Sequence, residues 1–359
     1  MSTADTPAAA PGGPAPARPA DFPALVARSA ALGRDPLLVQ AAGGNTSVKD
    51  GGTMWIKASG TRLAEAEARD IFVPVDAAAI TRALAADPEA ADRTQDFLLA
   101  GGGLRPSIET SLHAALPQRV VLHVHCVNTI AFAIREDAEA ALAERLAGLD
   151  WRFPPYIKPG ARLAGAVLDA RGPGAAVAVL GNHGLLAAGD SVEEAEARLR
   201  EVSARLAPAA PAAPLAPDLP ALAAAAGGGY APAGAADPLH TLALDPRLLA
   251  AATAGSLYPD HVIFCGPGAE ALRPGQTAAG AAARRAAAGA PPPPFLLVPG
   301  AGALLREGAS EGALILARCL WDVLSRLAPG AAIRTLTPAQ DAELLDWDAE
   351  KYRKALNAD

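Results

Sequence analysis

Three histidines have the types and spacing best suited to chemistry in this sequence. His123 and His125 stand one residue apart, at the end of the apolar, β-branched segment 120–124. Because side chains alternate across a strand, both imidazoles project from one face, at a spacing that suits a single metal ion. His183 lies in the motif GNHG, directly after a second apolar segment. Three neutral imidazoles and an open position are typical of a catalytic, zinc-type site, although an H-x-H pair alone is more often structural.

Glu109 could supply a proton-transfer group to such a site. It precedes His123 on a helix predicted over 107–116, for which Ser107 is the expected N-cap. A carboxylate beside a metal can move protons while the metal stabilises a developing oxyanion. The alternative is a solvated glutamate favoured by the helix dipole. His113, four residues on, is expected to be a packed or hydrogen-bonded helix residue and not a fourth ligand.

Two glycine-rich turns offer backbone N–H groups and small hydroxyls, which suit a phosphate. They are GGNTS at 43–47 and SGT at 59–61, and Lys57 stands beside the second. Neither turn matches a Walker loop or a dinucleotide-binding G-x-G-x-x-G, so an NTPase or a dehydrogenase is not indicated. Plain hairpin turns are the alternative interpretation.

Strands and helices must alternate to position these residues. The predicted helices cover 21–33, 107–116, 129–134, 192–206 and 311–327. The predicted strands cover 120–124, 175–180, 261–265 and 295–298, with a hairpin within 41–63. This mixture indicates an α/β or α+β sandwich. The second half of the chain carries no comparable cluster of reactive side chains and is interpreted as a scaffold or lid.

Composition divides the 359-residue chain into two bodies. Proline and alanine dominate 1–20, which is predicted to be a disordered tail, and a Pro/Ala/Gly stretch at 207–237 is predicted to be a linker. The bodies between and after them, 21–206 and 238–359, are each of domain size.

Charge and cysteine content exclude several classes of protein. The net charge of −7 and pI of about 5.5 argue against a nucleic-acid or anionic-membrane binder. The three cysteines are too few and too dispersed for a disulfide framework. No apolar run approaches the roughly 20 residues of a membrane span, and the N-terminus does not look like a secretory signal. We therefore expect a cytoplasmic protein.

Taken in order, the motifs GGNTS, KASGT, PSIETSLH, HVH and GNHGLL resemble the class II aldolase/adducin family, which includes zinc-dependent sugar-phosphate aldolases of the fuculose- and rhamnulose-1-phosphate type. The resemblance covers residues 37–206. The remainder looks like the extension on long members, the aldolase half of bifunctional rhamnulose-phosphate aldolase/dehydrogenases. The resemblance implies a three-layer α/β/α domain with a smaller C-terminal α/β extension.

The resemblance also implies roles for the reactive residues. His123, His125 and His183 fall on the ligand positions for Zn²⁺ or another divalent metal. Glu109 falls on the acid/base position. Tyr156 resembles, in a loose alignment, a proton-donating tyrosine that reaches the site of a neighbouring subunit.

The phosphate-binding positions of the family match only in part. The matching residues are Asn45, Ser59, Gly60 and Ser107, and Lys57 could add positive charge. Ile108 departs from the pattern, because the fuculose-phosphate enzyme has a second serine there. This departure puts a phosphorylated substrate in doubt.

The function implied is reversible aldol cleavage of a ketose, with a ketose 1-phosphate the expected substrate, to a dihydroxyacetone phosphate-type product and an aldehyde. A homotetramer with active sites between subunits is implied as well. A sugar-phosphate epimerase, dehydratase or decarboxylase could use the same scaffold. Family epimerases place Asp at Glu109, whereas methylthioribulose-phosphate dehydratases also use Glu. A non-catalytic, adducin-like interaction module is disfavoured, because adducin heads lack the metal histidines.

Overall fold

The computed structural model describes residues 15–100, 103–170, 176–348, 351–352 and 356. Most of the predicted tail, 1–14, therefore lies outside the described residues. Within 15–20, Arg18 forms an ion pair with Asp70, and its guanidinium lies 4.6 Å from the ring centre of Phe22. This end of the predicted tail thus contacts the folded body.

The described residues form ten strands and fifteen α-helices. The strands are β1 Asn45–Asp50, β2 Thr53–Lys57, β3 Phe72–Asp76, β4 Val120–Val124, β5 Trp151–Arg152, β6 Val177–Leu180, β7 Gly184–Gly189, β8 Tyr230–Pro232, β9 Phe295–Val298 and β10 Gly302–Arg306. The helices are α1 Phe22–Gly33, α2 Ala77–Ala86, α3 Pro88–Ala91, α4 Thr110–Ala115, α5 Val127–Ala133, α6 Ala138–Arg145, α7 Ala161–Asp169, α8 Val192–Arg205, α9 Leu219–Ala225, α10 Thr241–Leu244, α11 Pro246–Thr253, α12 Pro259–Cys265, α13 Ala278–Ala287, α14 Glu311–Leu324 and α15 Pro338–Leu345.

A seven-stranded sheet in the order β3-β2-β1-β4-β7-β6-β5 forms the centre of the first half. All neighbours are antiparallel except β5 and β6. The predicted hairpin is β1–β2, which turns at Gly51 and Gly52 with φ of +53° and +89°. Positive φ at both central residues is what a type I′ hairpin turn requires, and glycine adopts it without strain. The hairpin and the strand at Val120–Val124 are confirmed.

Helices cover both faces of this sheet. On β4, Val120 and Leu122 belong to the core beneath α1 and α8, whereas Val121 belongs to the core beneath α4 and α7. The alternation follows the two-residue period of a strand. The first half is therefore a three-layer α/β/α arrangement, as expected.

The segment 207–237 has more structure than a linker would have. It contains α9 and the strand β8, which pairs with β10 in a three-stranded sheet ordered β8-β10-β9. Leu222 and Tyr230 are buried, and the Tyr230 hydroxyl donates to the Pro293 carbonyl over 2.7 Å. These two apolar anchors stand among Ala, Pro and Gly, which is why composition conceals them. The expectation of an unstructured segment is wrong for α9 and β8, while the division of the chain into domains here stays a prediction.

The predicted strand at 261–265 is also wrong, because these residues belong to helix α12. Pro259 stands in its first turn, where its fixed φ favours a helix, and all seven residues from Pro259 to Cys265 are buried. A short apolar run that is buried on every side has no period that distinguishes a strand from a helix. The correction matters for the site, since α12 packs against the first half.

Helix α5 contributes to the cores of both halves. Cys126, the N-cap of α5, and Ala133, its last residue, lie in the core of the first half. Val127, Ile130 and Ala131 lie in a second core with residues of α12 and α14. Among the described residues, no helix combines the length and apolar character needed to cross a bilayer.

Candidate metal centre

The three histidines predicted as ligands converge in the structure. His123 ends strand β4, His125 follows two residues later, and His183 lies in the turn between β6 and β7. Their ring centres are 4.9–5.2 Å apart, and one nitrogen from each lies within 4.8 Å of the others. All three side chains are buried.

Hydrogen bonds fix which ring nitrogens can bind a metal. Nδ1 of His123 lies 3.1 Å from the carbonyl oxygen of Leu185, so this nitrogen carries the proton and donates. Nδ1 of His125 lies 2.8 Å from Oδ2 of Asp260, and the same reasoning makes it a donor. In a neutral ring with its proton on Nδ1, Nε2 is the nitrogen whose lone pair can coordinate a metal.

Glu109 faces this group. Its Oε2 lies 3.3 Å from Nε2 of His123, and its Oε1 lies 3.7 Å from Nε2 of His183. The side-chain amide of Asn45 donates to Oε2 over 2.8 Å. Glu109 is 3% exposed, which excludes the alternative of a solvated first-turn glutamate.

The helix that follows Glu109 begins later than predicted. Helix α4 starts at Thr110, with Glu109 in the N-cap position. Ser107 is not the N-cap; its hydroxyl accepts from the backbone N–H of Glu109 in the preceding turn. The short side chain of Ser107 can bond to the backbone locally and form a turn before the helix, which explains the shift.

The protonation states suit a cation site. Burial lowers the pKa of His123, and it lowers the pKa of His183 to about 3, so both rings are neutral near pH 7. Burial acts to raise the pKa of Glu109, but His123, His183 and the Asn45 amide outweigh it and bring that pKa to about 2. The Glu109 carboxylate is therefore ionised.

These residues fit a divalent metal. Nε2 of His123 carries a lone pair and faces the Glu109 carboxylate at 3.3 Å, and two lone-pair groups this close need a cation between them or beside them. Zn–N bonds are about 2.0–2.1 Å, so nitrogens that all lie within 4.8 Å of one another can share one ion once the rings move closer together. Three neutral imidazoles and a carboxylate are a donor set that zinc accepts.

The residues predicted to bind a phosphate line one pocket beside the histidines. The pocket is lined by Asn45, Lys57, Ser59, Gly60, Ser107, Ile108, Glu109, His125 and His183, among others. Lys57 is 2% exposed, and its Nζ donates to the carbonyls of Ala42 and Gly44 over 3.0 and 3.1 Å. Its charge is thus fixed at the wall of the pocket, which the apolar side chain of Ile108 also lines.

Two other candidates lie apart from this pocket. Tyr156 is not among its lining residues, and its ring packs against the core of the C-terminal half. Its proposed role toward a neighbouring subunit stays a prediction. His113 is fully buried, with Nδ1 2.8 Å from the Ser47 hydroxyl, so it is the hydrogen-bonded core residue that was expected.

Asp260 is the site residue that the sequence analysis missed. It lies on α12 in the C-terminal half, is 3% exposed and lines the same pocket. The signal available was a carboxylate beside the apolar run HVIFC, since a buried carboxylate needs a polar partner. The partner could not be named, because it lies 135 residues earlier in the chain at His125.

Comparison with known protein families shows which family the chain belongs to. The family described as Class II Aldolase and Adducin N-terminal domain matches residues 24–207, just over half of the 359 residues. The chain belongs to this family. The match includes the three histidines, Glu109 and the residues on the phosphate side of the pocket, so the resemblance seen in the motifs is confirmed.

Individual relatives match this class II aldolase family member over only part of its length. "Uncharacterized oxidoreductase YuxG" from Bacillus subtilis (strain 168) is 31% identical over 187 residues, which is 47% of this chain and 26% of that protein. The chain thus spans about a quarter of the length of this curated relative.

Solved structures also resemble about half of the chain. The N-terminal class II aldolase domain of a conserved protein from Thermoplasma acidophilum is 28% identical, with a TM-score of 0.47, and the match covers 55% of this chain and 98% of that one. A sugar-phosphate aldolase from Thermotoga maritima is 15% identical, with a TM-score of 0.40, and covers 52% of this chain and 93% of its own.

Proposed function

We propose that the protein is a metal-dependent lyase that cleaves a ketose reversibly by aldol chemistry. The preferred substrate is a ketose 1-phosphate, and the products are a dihydroxyacetone phosphate-type ketone and an aldehyde. The observation that carries the proposal is the placement of the Glu109 carboxylate 3.3 Å from Nε2 of His123 and 3.7 Å from Nε2 of His183. This proximity supports a proton-transfer role for Glu109 beside a divalent-metal site.

The histidines would hold the metal through their Nε2 atoms. A bound divalent ion, zinc in this proposal, supplies positive charge that stabilises the oxyanion developing as the C–C bond breaks. The protein contributes a fixed geometry, because the Leu185 carbonyl and the Asp260 carboxylate hold two of the rings in one tautomer.

Glu109 would move the proton. As the C–C bond breaks, the hydroxyl of the aldehyde fragment becomes a carbonyl and loses its proton, and the electron pair of the broken bond remains on the ketone fragment. The ionised Glu109 would take up that proton and deliver it to the carbon that keeps the electron pair. In the synthetic direction, Glu109 removes the same proton. The Asn45 amide, 2.8 Å from Oε2, holds the carboxylate toward the pocket in both directions.

The phosphate end of the substrate would lie against the part of the pocket wall that is lined by Asn45, Ser59, Gly60 and Ser107. Small donors and Lys57 favour an anion there, while Ile108 supplies an apolar surface where a hydroxyl would bind phosphate better. The homotetramer implied by the family resemblance belongs to this proposal and is checked by sedimentation analysis.

The test begins with metal analysis of the purified protein, followed by incubation with a panel of ketose 1-phosphates and the corresponding free ketoses. Products are identified by NMR, so that cleavage, epimerisation, dehydration and decarboxylation are distinguished in one measurement. We expect about one divalent metal per chain and cleavage that a chelator abolishes. A metal-loaded protein that epimerises, dehydrates or decarboxylates these sugars without cleaving any of them would contradict the proposal.

A further inference from the structure

The C-terminal half reaches the metal centre through one side chain. Oδ2 of Asp260 lies 2.8 Å from Nδ1 of His125, and the two side chains are only 3% and 7% exposed. An approach this short between a buried carboxylate oxygen and an imidazole nitrogen favours a proton on Nδ1 and one orientation of the ring.

The glycine-rich turn closes over this pair. A Cβ on Gly43 would lie 2.8 Å from Oδ2 of Asp260 and 2.8 Å from Nδ1 of His125. Only a residue without a side chain leaves room for the turn to approach so closely. The pair is therefore shielded from solvent, where water would otherwise compete for the imidazole N–H.

A second contact joins the same part of the C-terminal half to His183. The side-chain amide of Asn182, the residue before His183, donates to the carbonyls of Leu257 and Arg334 over 2.9 and 2.8 Å. Leu257 stands three residues before Asp260. The stretch 257–260 thus contacts His125 through a carboxylate, and it contacts Asn182, the residue before His183, through a backbone carbonyl.

We propose that residues 257–260 complete the metal centre, with Asp260 as a positioning residue that holds Nε2 of His125 toward the metal. This inference rests on the metal site of the proposed function but not on the reaction or the substrate. The C-terminal half is then part of the centre and not only a scaffold or lid.

The experiment measures metal affinity in the full-length protein. Zn²⁺ dissociation constants are determined by competition with a chelator for the wild type, Asp260→Asn and Asp260→Ala. We expect Asp260→Ala to weaken Zn²⁺ binding about 10–100-fold, and Asp260→Asn to weaken it less because the amide oxygen can still accept from Nδ1. The visible absorption of the Co²⁺-loaded protein should shift in Asp260→Ala, since the orientation of one ligand changes.

Asp245→Asn is the matched control. Asp245 lies in the same half and caps helix α11 by accepting from the backbone N–H of Arg247 over 2.8 Å, without facing the histidines. It should retain wild-type Zn²⁺ affinity. Wild-type affinity and an unchanged Co²⁺ spectrum in Asp260→Ala would overturn the inference, and so would an equal loss in Asp245→Asn. If Asp260→Ala does not fold, the Zn²⁺ affinity of Asp260→Asn is compared with that of Asp245→Asn. Equal affinities in these two variants would overturn the inference. Because no substrate is used, failure to find lyase activity would count only against the proposed function.

Discussion

Nδ2 of Asn45 lies 2.8 Å from Oε2 of Glu109 and joins the first residue of strand β1 to the N-terminus of helix α4. Asn45 is also paired with His123 across β1 and β4. One strand pairing therefore sets the distance between the carboxylate and the first metal histidine. The donor is a neutral amide, so it orients the carboxylate without placing a competing cation beside the metal site.

Glu109→Gln should keep the metal and lose most turnover. Glutamine preserves the shape, and its amide oxygen can still accept from Asn45, but it cannot take up the proton. Loss of a general base typically costs on the order of 10² to 10⁴ in rate. Metal content and kcat are measured on the same preparation, with the exposed Glu311→Gln as a control that should behave as wild type. Wild-type turnover in Glu109→Gln would remove Glu109 from the mechanism.

Alanine at His123, His125 or His183 should each release the metal. Two remaining imidazoles make a much weaker chelate than three. Metal content after dialysis is the measurement. His240→Gln is the matched control, because His240 is also buried and hydrogen-bonded, with Nδ1 accepting from the Ala303 backbone over 3.0 Å, yet lies in the C-terminal half. Full occupancy in any of the three alanine variants would argue against that residue as a ligand.

Ile108→Ser should lower KM for a ketose 1-phosphate and leave the free ketose almost unaffected. The new hydroxyl would add a hydrogen bond to a charged group, worth roughly 1.5–3 kcal/mol, on the wall of the pocket. Ile108→Ala is the control for added space, since it shortens the side chain without a donor. An equal decrease in KM in Ile108→Ser and Ile108→Ala would mean that the added space, and not the hydroxyl, was responsible. A wild type that prefers the free ketose would show that the pocket was misassigned.

Local patterns in the sequence were sufficient to predict most of the site residues. His123 and His125 share a face because a strand has a two-residue period, and Gly51 with Gly52 predicts the hairpin beside them. The Asp260–His125 contact could not be predicted, because it depends on how α12 packs and the segment 261–265 was mistaken for a strand. Contacts across 135 residues are set by tertiary packing, and no local period reports them.

Asn182→Gly should destabilise the fold by about 1–3 kcal/mol, because the Leu257 and Arg334 carbonyls lose a buried donor. Asn182 has φ of +48°, a conformation that glycine adopts freely. Asn182→Ala should therefore cost about 1 kcal/mol more than Asn182→Gly, since alanine is strained there. The free energy of unfolding in urea is the measurement, and equal values for the two variants would contradict the backbone part of the argument.

His261 should make stability depend on pH between about 4 and 6.5. Burial lowers its pKa from 6.5 to about 4 in the folded protein, so between these values the unfolded chain binds a proton that the folded chain does not. Stability is therefore greatest above pH 6.5 and falls as the pH drops toward 4. At pH 5 the loss due to His261 is about 2 kcal/mol. His261→Leu should lose correspondingly less free energy of unfolding between pH 7 and pH 5, measured by urea unfolding. A loss as large as that of the wild type would contradict the assignment to His261.

Helix α5 has a consequence for how such a chain can be recombined. Its side chains pack into the cores of both halves: Ala133, with the N-cap residue Cys126, lies in one core, and Val127 and Ile130 lie in the other. A protein cut after residue 206 would expose the second side and leave the His125 imidazole without its carboxylate. The family domain of this chain is therefore not a portable module: a chimera that exchanges it with a relative must also carry a compatible α12 and α14.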